Sequence, residues 1–183
     1  MDARRLTRRR ISALIGAVLA VLTWPSAAQA ASRPGDRTDR RVLPYYFLVA
    51  SANSGKCLAV ANASTDDGAP VVQQTCSETA YDQQWSFYLV DDVHYVMVVR
   101  HSGKCLAIAD ASSENAAQAV QQRCDGTASQ QWSFPYVGGN NYLAVARHSG
   151  KCLTVAGGST ADGASVIQWT CRNRTYQQWR LGS

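Results

Sequence analysis

His148-Ser149-Gly150-Lys151-Cys152-Leu153, then Cys171, then Gln177-Gln178-Trp179, is the stretch on which the fold turns, because the chain spells it three times. Upstream stand Ser102-Gly103-Lys104-Cys105-Leu106, Cys124 and Gln130-Gln131-Trp132, and before them Ser54-Gly55-Lys56-Cys57-Leu58, Cys76 and Gln83-Gln84-Trp85. The glycines are 48 and 47 residues apart, the tryptophans 47 and 47, and each cysteine pair is separated by 19. A unit of this length is a supersecondary element that cannot bury its own apolar face, so the copies must close a shared core.

Three copies are too few for a propeller, and no cap is written at either end for an open solenoid. Cys-Leu near the start, Cys in the middle and a closing Gln-x-Trp resemble the ricin B-type lectin domain over roughly residues 44 to 183, with all six cysteines and three endings in phase. The resemblance implies an all-β, three-fold β-trefoil with repeats of about 44–90, 91–137 and 138–183.

Residues 1–30 read as a secretory signal peptide: Arg4, Arg5, Arg8, Arg9 and Arg10 at the start, an apolar stretch from Ile11 to Trp24, and Ala28-Gln29-Ala30 as the cleavage site. That apolar stretch is short for a membrane span, so a secreted, extracellular protein free of the membrane after cleavage is expected. Thr7-Arg8-Arg9-Arg10-Ile11 also fits a twin-arginine signal, and both export routes stay open. Residues 31–43 read as a disordered tail, since Ala31 to Arg41 is polar and carries Pro34 and Gly35. Nine basic and ten acidic residues remain in 42–183, a net charge of −1, so the basic balance of the whole chain belongs to its N-terminal segments and no nucleic-acid partner is expected. The remaining length is that of one domain, expected as a monomer.

Short apolar runs such as Tyr46–Val49, Leu58–Val60, Tyr95–Val99, Leu106–Ile108 and Leu153–Val155 read as strands, and no stretch has helical periodicity. A first turn in each copy carries Asn53-Ser54-Gly55, His101-Ser102-Gly103 or His148-Ser149-Gly150. The second carries Asp67-Gly68, Asn115-Ala116 or Asp162-Gly163, and without its glycine the turn of copy two is expected to differ slightly. In an oxidising compartment six cysteines suggest disulfides, and the repeat makes Cys57–Cys76, Cys105–Cys124 and Cys152–Cys171 the natural pairing. The spacing does not suit a metal, and no cofactor is expected.

Trp85, Trp132 and Trp179 are expected in the core, with Gln84, Gln131 and Gln178 beside it. His101 and His148 share their slot with Asn53, which suits a turn residue bonding to nearby backbone better than a catalyst. No carboxylate pair or nucleophile–base pattern recurs, so no catalytic residue and no enzyme are expected.

The resemblance also implies where a sugar would sit. The family's sugar-binding Asp follows Cys-Leu, and here that place holds Ala59, Ala107 and Thr154. The stacking aromatic lies two residues before the second Cys, giving Gln74, Gln122 and Trp169. The Asn-Gln pair opening the last motif reads Asp82-Gln83, Ser129-Gln130 and Tyr176-Gln177. Thr154, Trp169, Tyr176 and Gln177 of copy three are therefore the predicted glycan site, with Asp82 and Gln83 of copy one as a lesser group. The carboxylate that would bond two sugar hydroxyls is missing from all three copies, which predicts weak binding. The alternative is a protein-binding trefoil, a protease inhibitor or secreted effector.

Overall fold

The computed structural model describes residues 45–182; the signal peptide read over 1–30 and the tail read over 31–43 lie outside the described residues. In chain order the strands are β1 (Phe47–Ser51), β2 (Cys57–Val60), β3 (Val71–Gln74), β4 (Gln84–Leu89), β5 (Tyr95–Val99), β6 (Cys105–Ile108) and β7 (Ala119–Gln122). They continue as β8 (Gln131–Ser133), β9 (Tyr136–Gly138), β10 (Asn141–Leu143), β11 (Val145–Ala146), β12 (Cys152–Val155), β13 (Val166–Trp169) and β14 (Gln178–Gly182). The other regular elements among the described residues are single turns of 3-10 helix.

Antiparallel pairing closes a barrel. β1 pairs with β14 and β4, β4 with β5, β5 with β8, β8 with β11, and β10 with β14. β10 and β11 are two parts of one barrel strand interrupted at Ala144. The hairpins β2–β3, β6–β7 and β12–β13 stand at one end and meet through the bridges Pro70–Val120, Val72–Ser165 and Gln118–Ile167. A closed barrel capped by three equivalent hairpins is a three-fold β-trefoil, and closure leaves the barrel without exposed edges.

The tryptophans fill the core. Trp85, Trp132 and Trp179 are buried, and each indole N–H donates to a carbonyl of its own copy: Leu58 at 2.9 Å, Leu106 at 3.1 Å and Leu153 at 3.1 Å. The ring thus buries a large apolar area without leaving its one donor unpaired. The three disulfides join Cys57–Cys76, Cys105–Cys124 and Cys152–Cys171, one within each copy.

A second set of buried groups joins the copies to each other. Gln73 donates to the carbonyls of Ser159 and Ala161, Gln121 to those of Ser64 and Asp66, and Gln168 to those of Ser112 and Glu114. Their amide oxygens accept from Ser54, Ser102 and Ser149, each at 2.7 Å. Every glutamine is fully buried, so each amide binds the turn of the preceding copy in a dry setting where a lost partner is expensive.

The difference expected at the second turn of copy two does not occur. Ala116 takes φ +67, in the same region as Gly68 at +80 and Gly163 at +77. Its N–H donates to the Gln168 carbonyl at 3.0 Å, as Gly68 does to Gln121 and Gly163 to Gln73. The bond between copies holds the alanine in a left-handed conformation that costs it about 1 kcal/mol.

Candidate functional site

Copy three presents its outer surface along the β12–β13 hairpin. Trp169 lies opposite Cys152 and Ile167 opposite Thr154 in the hairpin register. Opposed residues and residues two apart along a strand share a face, so Thr154, Cys152 and Trp169 are on one side. Thr154 is buried, and its hydroxyl donates to the Cys152 carbonyl at 2.7 Å while accepting from Gln177 Nε2 at 3.1 Å. Gln177, also buried, donates to the Thr170 carbonyl at 3.0 Å and accepts the Arg172 N–H at 2.8 Å.

Gln83 and Gln130 do the same in their copies. Gln83 donates to the Thr75 carbonyl and accepts the Ser77 N–H; Gln130 donates to the Arg123 carbonyl and accepts the Asp125 N–H. The first glutamine of each Gln-Gln-Trp thus braces the chain around the second cysteine. The second glutamines, 84, 131 and 178, donate to the carbonyls of Glu78, Gly126 and Asn173.

What copy three leaves outside is aromatic. Trp169 is 37% exposed. Tyr176, half-buried, lays its ring against Gly158, where a Cβ would come within 3.0 Å of Tyr176 Cδ1. Gly157 and Gly158 have φ of +62 and +63, and the matching Asn62-Ala63 and Asp110-Ala111 adopt similar positive values. The backbone therefore tolerates side chains here, and it is the approach of Tyr176 that makes glycine fit at 158.

Of the predicted residues, the structure joins Thr154 directly to Gln177, with Tyr176 next in the chain and Trp169 across the hairpin. Asp82 and Gln83 form a separate group on copy one, Asp82 exposed and Gln83 buried. Beside them is a feature the sequence reading missed. The Arg100 guanidinium lies 4.0 Å from the ring centroid of Tyr81 and 4.8 Å from that of Tyr46, and Arg100 Nη1 donates to Gln84 Oε1 at 2.6 Å. Tyr81 is not at the family's stacking position, and no spacing in the sequence links it to Arg100.

His101 Nε2 bonds the Ser64 carbonyl at 2.8 Å and His148 Nε2 the Ser112 carbonyl at 2.9 Å; Asn53 Nδ2 donates to the Gly158 carbonyl at 3.0 Å. A carbonyl only accepts, so both imidazoles carry their proton on Nε2. All three are turn residues bound to backbone, as read from the sequence, but the backbone belongs to the preceding copy.

Charges sit at the seams between copies. Asp162 accepts from Lys56 Nζ at 2.8 Å and from the Thr75 N–H at 2.6 Å, and Asp67 from Lys104 Nζ and the Arg123 N–H, both at 2.7 Å. The hydrogen bond from the lysine is the main cause lowering each carboxyl below its ordinary range. Asp91 is held down to about 2, first by the Val93 amide and next by His94. Among the described residues no group of three His, Cys, Asp or Glu side chains could hold a metal ion.

The family model for the ricin-type beta-trefoil lectin domain matches residues 45–179. A designed three-fold symmetric protein, ThreeFoil, is 43% identical, with a TM-score of 0.73 over 75% of this chain and 98% of that one. The exo-beta-1,3-galactanase 1,3Gal43A from Clostridium thermocellum is 33% identical, with a TM-score of 0.72 over 75% of this chain, which spans only 30% of that enzyme. The Macrolepiota procera ricin B-like lectin, solved in complex with lactose, is 15% identical with a TM-score of 0.66 over 76% of this chain and 95% of that one, a likeness of fold. No curated sequence matches significantly.

Proposed function

Because the chain belongs to the ricin-type beta-trefoil lectin domain family, we propose that it is a secreted glycan-binding module that holds a sugar on the outer face of copy three and catalyses no reaction. The observation that carries this reading is the exposure of Trp169. Three other tryptophans at repeat-equivalent places are buried and bonded, whereas Trp169 stays 37% exposed where the other copies have Gln74 and Gln122. An exposed indole offers a flat apolar face to the C–H side of a pyranose ring.

Binding of this kind is weak. Thr154 and Gln177 spend most of their hydrogen-bonding capacity on each other and on backbone, and no carboxylate stands where it would grip two hydroxyls. With one competent copy the molecule also lacks the avidity of linked sites, so agglutination is poor even where single-site binding is measurable. The galactanase and the lactose-bound lectin among its relatives make galactose-containing glycans the first candidates. The Arg-rich start and Ala28-Gln29-Ala30 support export.

A glycan array on the oxidised mature protein tests the proposal. Reproducible binding to a defined glycan is expected; an array without binders, together with inhibition in a protease panel, favours the protein-binding reading. That second reading rests on Arg100 stacked on the exposed Tyr81, since Arg and Tyr are the residues that anchor protein interfaces.

A further inference from the structure

The barrel has a second end, away from the hairpin cap, and there the three-fold pattern of side-chain size is broken. The first barrel strands of the three copies place Phe47, Tyr95 and Tyr142 around this end, and the closing strands place Phe87, Phe134 and Leu181. One step deeper stand Val49, Met97 and Ala144. Copy three has the small residue at both levels: Leu181 where the others have phenylalanine, and Ala144 where they have valine and methionine. Ala144 also lies at the break between β10 and β11. Pro135 has no N–H to offer there, and its carbonyl accepts from Leu143 at 3.0 Å.

This end of the barrel opens into a pocket of about 740 Å³ whose deepest lining residues include the buried Leu153 and Trp179 of copy three. Its walls are braced. Phe47 and Phe87, Phe87 and Phe134, and Phe134 and Tyr95 meet edge to face with centroids 5.9, 5.4 and 5.8 Å apart, so the rings hold one another in place. A largely apolar pocket of this size lies within the range of roughly 300–1,000 Å³ typical of small-molecule sites, which favour barrel mouths. Leu89, Val93, Tyr136 and Leu181 leave exposed apolar surface around this end. The polar groups are at the rim, where Asp92, His94 and Ser133 line the opening. His94 is engaged with Asp91 at 2.9 Å, and Asp91 also pairs with Arg147 at 3.0 Å.

We propose that the open end of the barrel is a second binding site, separate from the glycan surface, for a small, largely aromatic molecule that lays its apolar body against Phe47, Phe134, Tyr142 and Leu181 and turns a hydrogen-bond donor toward Asp92. Ala144 and Leu181 make the room, so refilling them closes the site. N-phenyl-1-naphthylamine, a neutral aryl amine whose emission rises in apolar surroundings, is the probe. Titrated into the oxidised protein, it should bind saturably at one site per chain. Ala144→Met and Leu181→Phe, which restore the residues of copy two, should each weaken that binding at least tenfold while leaving glycan binding unchanged. Leu181 is half-exposed, so Leu181→Phe remains a valid test if Ala144→Met fails to fold. Unsaturable emission, or unchanged affinity in Leu181→Phe, overturns the proposal. So does probe binding that is lost as the protein dimerises in light scattering, which would seat a second copy on the mouth.

Discussion

Copy three and copy one share the groups that bond inward, and they differ in the outer side chains and in the size of those that fill the barrel end. Inside, each has a tryptophan bonded to a leucine carbonyl, a disulfide across 19 residues, a glutamine bracing the second cysteine and a glutamine clamped on the preceding copy. Outside, Gln74 becomes Trp169, Asp82 becomes Tyr176, and Asn62-Ala63 becomes Gly157-Gly158. The positions that stay alike are those where a buried donor or acceptor would lose its partner. Most of the positions that vary outside make no such bond, and in copy three two of them carry aromatic side chains, Trp169 and Tyr176.

If these inward-bonded groups are equivalent, the largest effects should be alike in all copies. Trp85→Ala, Trp132→Ala and Trp179→Ala should each cost about 3–5 kcal/mol in denaturant unfolding. A cost under about 1 kcal/mol at Trp179 alone would mean that copy three does not share the common core. The clamps between copies come next. Gln73→Ala and Gln168→Ala each leave two carbonyls without their amide donor, and each should cost about 1–3 kcal/mol. Markedly unequal costs would show that the ring of copies has a weak joint.

The seams titrate. Asp67, Asp91 and Asp162 have carboxyls lowered in the folded protein, so the stability they contribute is complete above the unfolded value near 4 and is lost as pH falls through the folded values, with about 2 for Asp91. A thermal midpoint that declines between about pH 4 and pH 2, and declines less steeply in Asp91→Asn, is the expected outcome. The smallest effect is at the turn of copy two. Ala116→Gly relieves a left-handed alanine but loosens the unfolded chain, for a net gain of about 0.5 kcal/mol. A loss in place of the gain would show that the alanine methyl has a packing role.

The repeat made the architecture legible, because three-fold phase fixes cysteine pairing and tryptophan burial together. What escaped the sequence reading was what passes between copies. Gln73, Gln121 and Gln168 recur in phase, yet nothing in a local pattern says that their partners lie one copy back. β4 and β8 are hidden too, since Gln84-Trp85-Ser86 and Gln131-Trp132 look polar until the barrel buries them. The same tertiary bonding overrode the preference of Ala116 and kept its turn unchanged. In the candidate site, Trp169 was legible by position alone. The inward commitment of Thr154 and Gln177 was not, because the same residue types would serve a sugar equally well.

The central claim is that copy three carries the glycan surface, and titration of wild type, Trp169→Ala and Gln74→Ala against the glycan selected on the array tests it most directly. Stacking on an exposed aromatic is worth roughly 1–3 kcal/mol by analogy with nucleobase platforms, so Trp169→Ala should weaken binding by about one to two decades while Gln74→Ala leaves it unchanged. Equal affinities for wild type and Trp169→Ala would contradict the account and move the ligand to Asp82 and Tyr81 of copy one.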